Sequence, residues 1–136
     1  MRVLGLDVGE SRVGVAISDP LGKTAQPLET LKRDERTLDR LDEIAGEFEV
    51  TGVVVGLPLR MDGTEGAQAK LVREFSATMG ETLGLPITFV DERLTTKQAE
   101  SVLAGQKLGT RQKREASDRI AASLILQTYL QSIVER

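Results

Sequence analysis

The stretch "LGLDVGESRVGVAIS", residues 4–18, contains two short β-rich runs separated by "GES". Extended to residues 2–8 and 12–18, the two runs predict a β-hairpin. In the second run Val13, Val15 and Ile17 alternate with Arg12, Gly14, Ala16 and Ser18, so one face of that strand is the more apolar. Asp7 breaks the pattern, because it follows Leu4 and Leu6 in what otherwise reads as a buried strand. Gly5 and Gly9 remove side chains around it, which lets a ligand or another backbone approach closely. A strand-end aspartate with a following glycine also fits a simple turn, so local sequence leaves both readings open.

Working outward, a third β run covers roughly 23–31, with Pro27 marking it as an edge strand. The period then changes: Leu38, Leu41, Ile44, Ala45 and Phe48 recur at helical spacing. "VTGVVVGLP", 50–58, is a continuous β-branched run, the pattern of a strand covered on both faces. A Gly-rich loop leads into a second helix near Thr64, with an apolar stripe of Leu71, Val72, Phe75, Met79 and Leu83. "PITFVDE", 86–92, is another buried-type strand. Thr95 or Thr96 is placed to cap a third helix carrying Ala99, Val102 and Leu103, with Gly105 near its end. The last helix, about 115–134, is apolar nearly all round at "IAASLIL" and is expected against the sheet.

The order β-β-β-α-β-α-β-α-α predicts an α/β fold: a five-stranded mixed sheet with helices on both faces. The length suits one domain over residues 1–136. Sites in such sheets form beyond the carboxyl ends of the strands.

Composition narrows the chemistry. The chain has no His and no Cys, which excludes imidazole bases, thiolate nucleophiles, Ser-His-Asp triads and the usual zinc ligands. Catalysis is left to carboxylates, Lys, Ser and Thr, Tyr129, backbone groups or a metal held by oxygens, with Mg2+ or Mn2+ first among such metals. No apolar run approaches a membrane span, and Asp7 and Glu10 interrupt any signal-peptide core, so a cytoplasmic protein with no membrane partner is expected. The net charge of −3 divides unevenly, −4 over residues 1–50 and +1 over 51–136. Lys107, Arg111, Lys113, Arg114 and Arg119 face only Glu115 and Asp118 in their segment, a candidate anion-binding stretch whose bland alternative is a solvated loop.

Two further carboxylates stand in unusual places. Adjacent strand residues point to opposite sides, so only one of Asp91 and Glu92 can share a site with Asp7, and periodicity alone does not choose. On a helix, Asp118 has Ala121, Ala122 and Ile125 as face neighbours, so it needs a cation or donors in a poorly solvated setting. A salt bridge to Arg93 or Arg114 is the ordinary alternative. If the acids converge at one end of the sheet, their repulsion calls for a counter-charge. Two divalent cations about 3.5 to 4 Å apart would supply it and support in-line phosphodiester hydrolysis. "VGLPLRMDGTEG", 55–66, adds a helix start, the Arg60 charge and the Thr64 hydroxyl, a plausible phosphate site or an ordinary strand-to-helix turn.

Four motifs, "GLDVGESRVGVA", "VVVGLPLRMDGTEG", "FVDERLTT" and "SDRIAASLIL", in this order and spacing, resemble the YqgF family, also called RuvX, whose members are described as pre-16S rRNA nucleases or Holliday junction resolvase-like proteins. The resemblance spans essentially the whole chain. It implies an RNase H-like fold in which Asp7, Glu92 and Asp118 bind divalent metal for phosphodiester hydrolysis, with Asp91 as an alternative or supporting acid. The expected function is a Mg2+- or Mn2+-dependent endonuclease acting on structured RNA or branched DNA, as monomer or homodimer. Arg60, Thr64, Arg93, Lys107, Arg111, Lys113, Arg114 and Arg119 are the expected nucleic-acid contacts. With one Tyr and three Phe, base stacking has little surface, so backbone contacts should dominate. Pre-16S rRNA is favoured as substrate, against a junction resolvase in recombination and a catalytically weak ribosome assembly factor. A nucleotide phosphotransferase would need a second lobe that 136 residues cannot supply.

Overall fold

The computed structural model describes residues 2–92 and 109–134. Its strands are β1 (Arg2–Val8), β2 (Arg12–Ser18), β3 (Ala25–Lys32), β4 (Val50–Leu57) and β5 (Ile87–Asp91), and its helices α1 (Thr37–Glu47), α2 (Ala67–Leu83) and α3 (Thr110–Val134). They form one sheet in the order β3-β2-β1-β4-β5. β1, β2 and β3 pair antiparallel as a meander, while β4 lies parallel to β1 and β5 parallel to β4. The mixed sheet is therefore the one expected. Pro27 sits on the β3 edge, where a missing N–H costs least, and the register shifts beside it.

Strand alternation divides the molecule into two layers of core. Leu4, Leu6 and Val8 of β1, Val13, Val15 and Ile17 of β2, and Val53, Val55 and Leu57 of β4 pack with Leu41 and Ile44 of α1 and Val72 and Met79 of α2. The opposite face packs Ala16, Val54 and Val90 against Ala122, Ile125, Leu126 and Leu130 of α3. Helices thus cover both faces.

Three expectations need correction. α2 begins at Ala67 with Gly66 as its N-cap, not near Thr64. Thr64 instead belongs to a tight loop closed by the Leu59–Glu65 bridge, where its hydroxyl donates to Asp62 Oδ1 at 2.7 Å. The buried line of α2 is Ala69, Val72, Ser76 and Met79, whereas Leu71 is 42% exposed, since it lies on the edge of that stripe. α3 starts at Thr110, earlier than about 115: Gln112 Oε1 accepts from the Gly109 N–H at 3.0 Å, and Lys113 N–H donates to the Gly109 carbonyl. The Arg, Lys and Gln residues that read as a charged loop are also good helix formers. The helix expected around Thr95 to Gly105 lies outside the described residues. Among those described, no helix is long and apolar enough to cross a membrane.

Candidate metal and nuclease site

The parity of the strands decides which acids meet. Val3, Gly5 and Asp7 of β1 point to the α3 side, as do Val54 and Gly56 of β4 and Val90 of β5, so Glu92, two residues on, shares that side. Glu92 is 8% exposed, while Asp91 is exposed. Between the two, the structure brings Glu92 to Asp7.

Small residues allow the close approach that buries these acids. A Cβ at Gly5 would stand 2.7 Å from Leu126 Cβ, one at Gly56 2.7 Å from Glu92 Oε2, and one at Gly14 would overlap the Asp118 carbonyl. α3 therefore lies with its backbone almost on β1 and β2, and Asp118 comes down over the Asp7–Gly14 pair.

Asp7 and Glu92 stand within side-chain hydrogen-bonding reach of each other, a contact that two carboxyls can use only with a proton between them. Burial, then the charge of Asp7 and of Asp91, pushes the Glu92 carboxyl up to about 9. Burial is also the main cause that raises Asp7 to about 6; the Glu92 hydrogen bond and the Arg12 charge oppose it, and the Asp118 charge adds to it. The two titrate as a pair, with one proton held well above the ordinary carboxylate range. Asp118 is turned elsewhere: its Oδ2 accepts from Arg12 Nε at 2.6 Å, both side chains being partly exposed. Among the described residues no three carboxylates stand together as a ready metal cradle. Among the described residues the salt-bridge partner of Asp118 is Arg12, not Arg114. Arg12 was missed because 106 residues separate it from Asp118, although its place on the Gly14–Ala16 face of β2 was visible as a signal.

Asp7 and Glu92 line a cleft of about 300 Å³ with Val8, Gly9, Pro58, Leu59 and Gln68. The loop after β4 thus borders the site as expected, and Gln68 of α2 joins it with no prior sequence signal. Arg33 holds the turn after Asp7 from behind: its Nη1 donates to the Gly9 carbonyl at 2.9 Å while its guanidinium lies 5.0 Å over the Phe75 ring.

The remaining expected contacts are dispersed. Arg60 is exposed, with its guanidinium packed against Gly66. Arg119 is half-buried and donates from Nη1 to Thr30 Oγ1 at 3.2 Å, tying α3 to β3. Arg111 pairs with Glu115 at 3.2 Å, and Lys113 and Arg114 are exposed on the first turns of α3. Arg93 and Lys107 lie outside the described residues.

The donor set fits a hard divalent cation. The acids that line the cleft offer only oxygen donors, and their burial side by side makes it a place where positive charge is wanted.

Known proteins agree with this architecture. Thermus thermophilus RuvC superposes with a TM-score of 0.60 at 18% identity, covering 99% of this chain and 97% of that one. The fowlpox virus resolvase, solved with Holliday junction DNA, gives 0.60 at 14% identity, over 98% and 99%. Both likenesses concern the fold, which is RNase H-like. Curated relatives are nearer in sequence: proteins named "Putative pre-16S rRNA nuclease" from Leuconostoc mesenteroides and Lachnospira eligens are 48% and 47% identical, each over 97% of this chain and 96% and 98% of their own lengths. A family model described as "RuvX: Holliday junction resolvase" matches residues 1–132. With that match and relatives near half identity along the whole chain, the protein belongs to the RuvX family.

Proposed function

We propose that residues 1–136 act as one RNase H-like nuclease domain, an endonuclease that depends on Mg2+ or Mn2+ and hydrolyses phosphodiester bonds of structured nucleic acid, with pre-16S rRNA as its substrate. The observation that carries the reading is the pairing of Asp7 with the buried Glu92 in one cleft at the carboxyl end of β1, with Asp118 over the neighbouring Gly14. Buried carboxyls with no apolar role are costly to keep, and a family of nucleases gives them a use.

Asp7, Glu92 and Asp118 would hold the metal. Divalent ions bound there supply Lewis acidity toward the scissile phosphate and a water of lowered pKa. Asp7 and Glu92 serve by giving up their shared proton, which leaves four carboxylate oxygens facing the cleft. Asp118 contributes a charge that is balanced by Arg12 in the absence of metal. Arg12 therefore holds the third acid in place over β2. Pro58 and Leu59 wall one side and limit water, and the Gln68 amide is placed to hydrogen-bond a substrate backbone. Asp91, exposed beside Glu92, adds negative charge to the rim and raises Glu92 further.

The test is cleavage of labelled precursor rRNA and of a four-way DNA junction, each with Mg2+ or Mn2+, by the protein and by Asp7→Asn. Metal-dependent cleavage of the rRNA, lost in Asp7→Asn, is expected. Cleavage that survives the substitution, or none on either substrate with any metal, would end the nuclease reading. Preferential cutting of the junction would move the substrate to branched DNA, for which symmetric incision needs a dimer.

A further inference from the structure

Beside the acid cleft a second groove, of about 660 Å³, opens between the turn after β1, the end of β3 and the first turns of α3. The two are neighbours across one short turn: Gly9 lines the cleft, and Glu10, Ser11 and Arg12 line the groove.

The groove is rich in cations, and they are not equivalent. Arg12 is committed to Asp118, Arg33 to the Gly9 carbonyl and the Phe75 ring, and Arg111 to Glu115. Lys32 and Arg114 also line it, are exposed, and form no ion pair among the described residues, although Glu10, Asp34 and Glu115 share the lining. They stand on different walls, one on β3 and the other on α3. The first turn of α3 carries no acid, and Arg111, Lys113 and Arg114 near that end oppose the helix dipole, a cost that a bound anion offsets.

We propose that this groove grips the sugar-phosphate backbone of a nucleic-acid strand on one side of the cleft, with Lys32 and Arg114 as the phosphate-binding residues. The strand leaves the acid site over the Gly9–Arg12 turn and enters the groove. The direction of the strand rests on the nuclease reading given above; the affinity of the groove for phosphates does not. A backbone grip of this kind carries no base specificity, and its signature is salt dependence.

Binding of a fluorescein-labelled RNA stem-loop with a single-stranded flank, followed by anisotropy in EDTA between about 50 and 200 mM salt, tests the groove. Lys32→Gln and Arg114→Gln should each weaken binding several-fold and lower the slope of log affinity against log salt by about 0.7, one phosphate contact's share on a single strand. Glu10→Gln, which removes a groove acid, should tighten binding. Arg73→Gln, on α2 and already paired with Glu65, should leave the slope unchanged. An unaltered affinity and slope in the Lys32→Gln/Arg114→Gln protein, or no binding by the unaltered protein, overturns the groove. Because the readout needs no metal, absence of cleavage on every substrate would sink the nuclease reading and leave this measurement intact.

Discussion

Toward α1 and α2, β1 presents Leu4, Leu6 and Val8 and β4 presents Val53, Val55 and Leu57; toward α3 the same strands present Gly5 and Asp7, and Val54 and Gly56. Alternate residues of one backbone thus build two different environments. The first face fills its interior with branched side chains, and its stability comes from apolar area removed from water. The second gives up side-chain volume so that a helix backbone can settle onto the strands. The acids there lose water without gaining room, and that is what raises Asp7 and Glu92 together. One face holds the sheet in shape; the other uses that shape to keep like charges close.

The largest effects should come from removing the acids. Asp7→Asn and Glu92→Gln are each expected to lower the cleavage rate constant by at least about a thousandfold, roughly 4 kcal/mol in barrier, with no loss of fold by circular dichroism. A residual rate within tenfold of the unaltered protein would mean that neither residue holds metal. On the other face, Leu6→Ala should cost about 3 kcal/mol of stability in urea unfolding, as for a buried Leu in a close-packed core. It should act on stability and leave the metal dependence of cleavage alone. A smaller but more telling change is Gly14→Ala, whose new methyl overlaps the Asp118 carbonyl. About 2 kcal/mol is expected from overpacking, together with a weaker response to Mg2+ because Asp118 must shift. Gly46→Ala, in α1 with nothing near its added Cβ, should instead stabilise by about 0.5 to 1 kcal/mol. Equal destabilisation by the two alanines, read as urea midpoints, would remove the argument for close helix approach.

These contrasts also show what the chain displays in one dimension. The split of β2 into Val13, Val15 and Ile17 on one side and Gly14 and Ala16 on the other is a period-two pattern, legible because it is local. The meander and Asp7 as an anomaly followed from local patterns of this kind, and the parallel additions from the alternation of strands and helices after it. Asp91 and Glu92 could not be separated by their own strand, since the side each occupies relative to Asp7 depends on how β5 registers through β4 with β1, and that pairing is tertiary. The Arg12–Asp118 bond was illegible for the same reason, and Gln68 reaches the cleft only because α2 starts at Ala67. The cationic first turns of α3 read as loop because charge hid helix propensity.

The effect that isolates the acid face most cleanly is the pH dependence of stability without metal. A carboxyl whose folded pKa is raised binds its proton more tightly in the folded chain than in the unfolded one, so it favours folding at low pH and loses that contribution as pH rises. For Glu92 the window runs from its ordinary 4.5 to about 9, and for Asp7 from 3.8 to about 6. Glu29 and Glu65, held below their ordinary range by Arg40 and Arg73, behave oppositely and only at the acid end. Between about pH 5 and 9 the acid pair should therefore dominate the carboxylate contribution, and in EDTA the Tm should fall with rising pH by a few degrees per pH unit, the shift expected from about 1.4 kcal/mol per unit for one linked proton. Glu92→Gln should flatten that slope, while Leu6→Ala should lower the whole curve without tilting it. Saturating Mg2+ or Mn2+ should reverse the tilt, because a cation that displaces the shared proton binds better as protons become scarce. A Tm that is level or rising from pH 5 to 9 in EDTA, or the same tilt in Glu92→Gln, would show that the two faces differ in packing only and that no proton is held between Asp7 and Glu92.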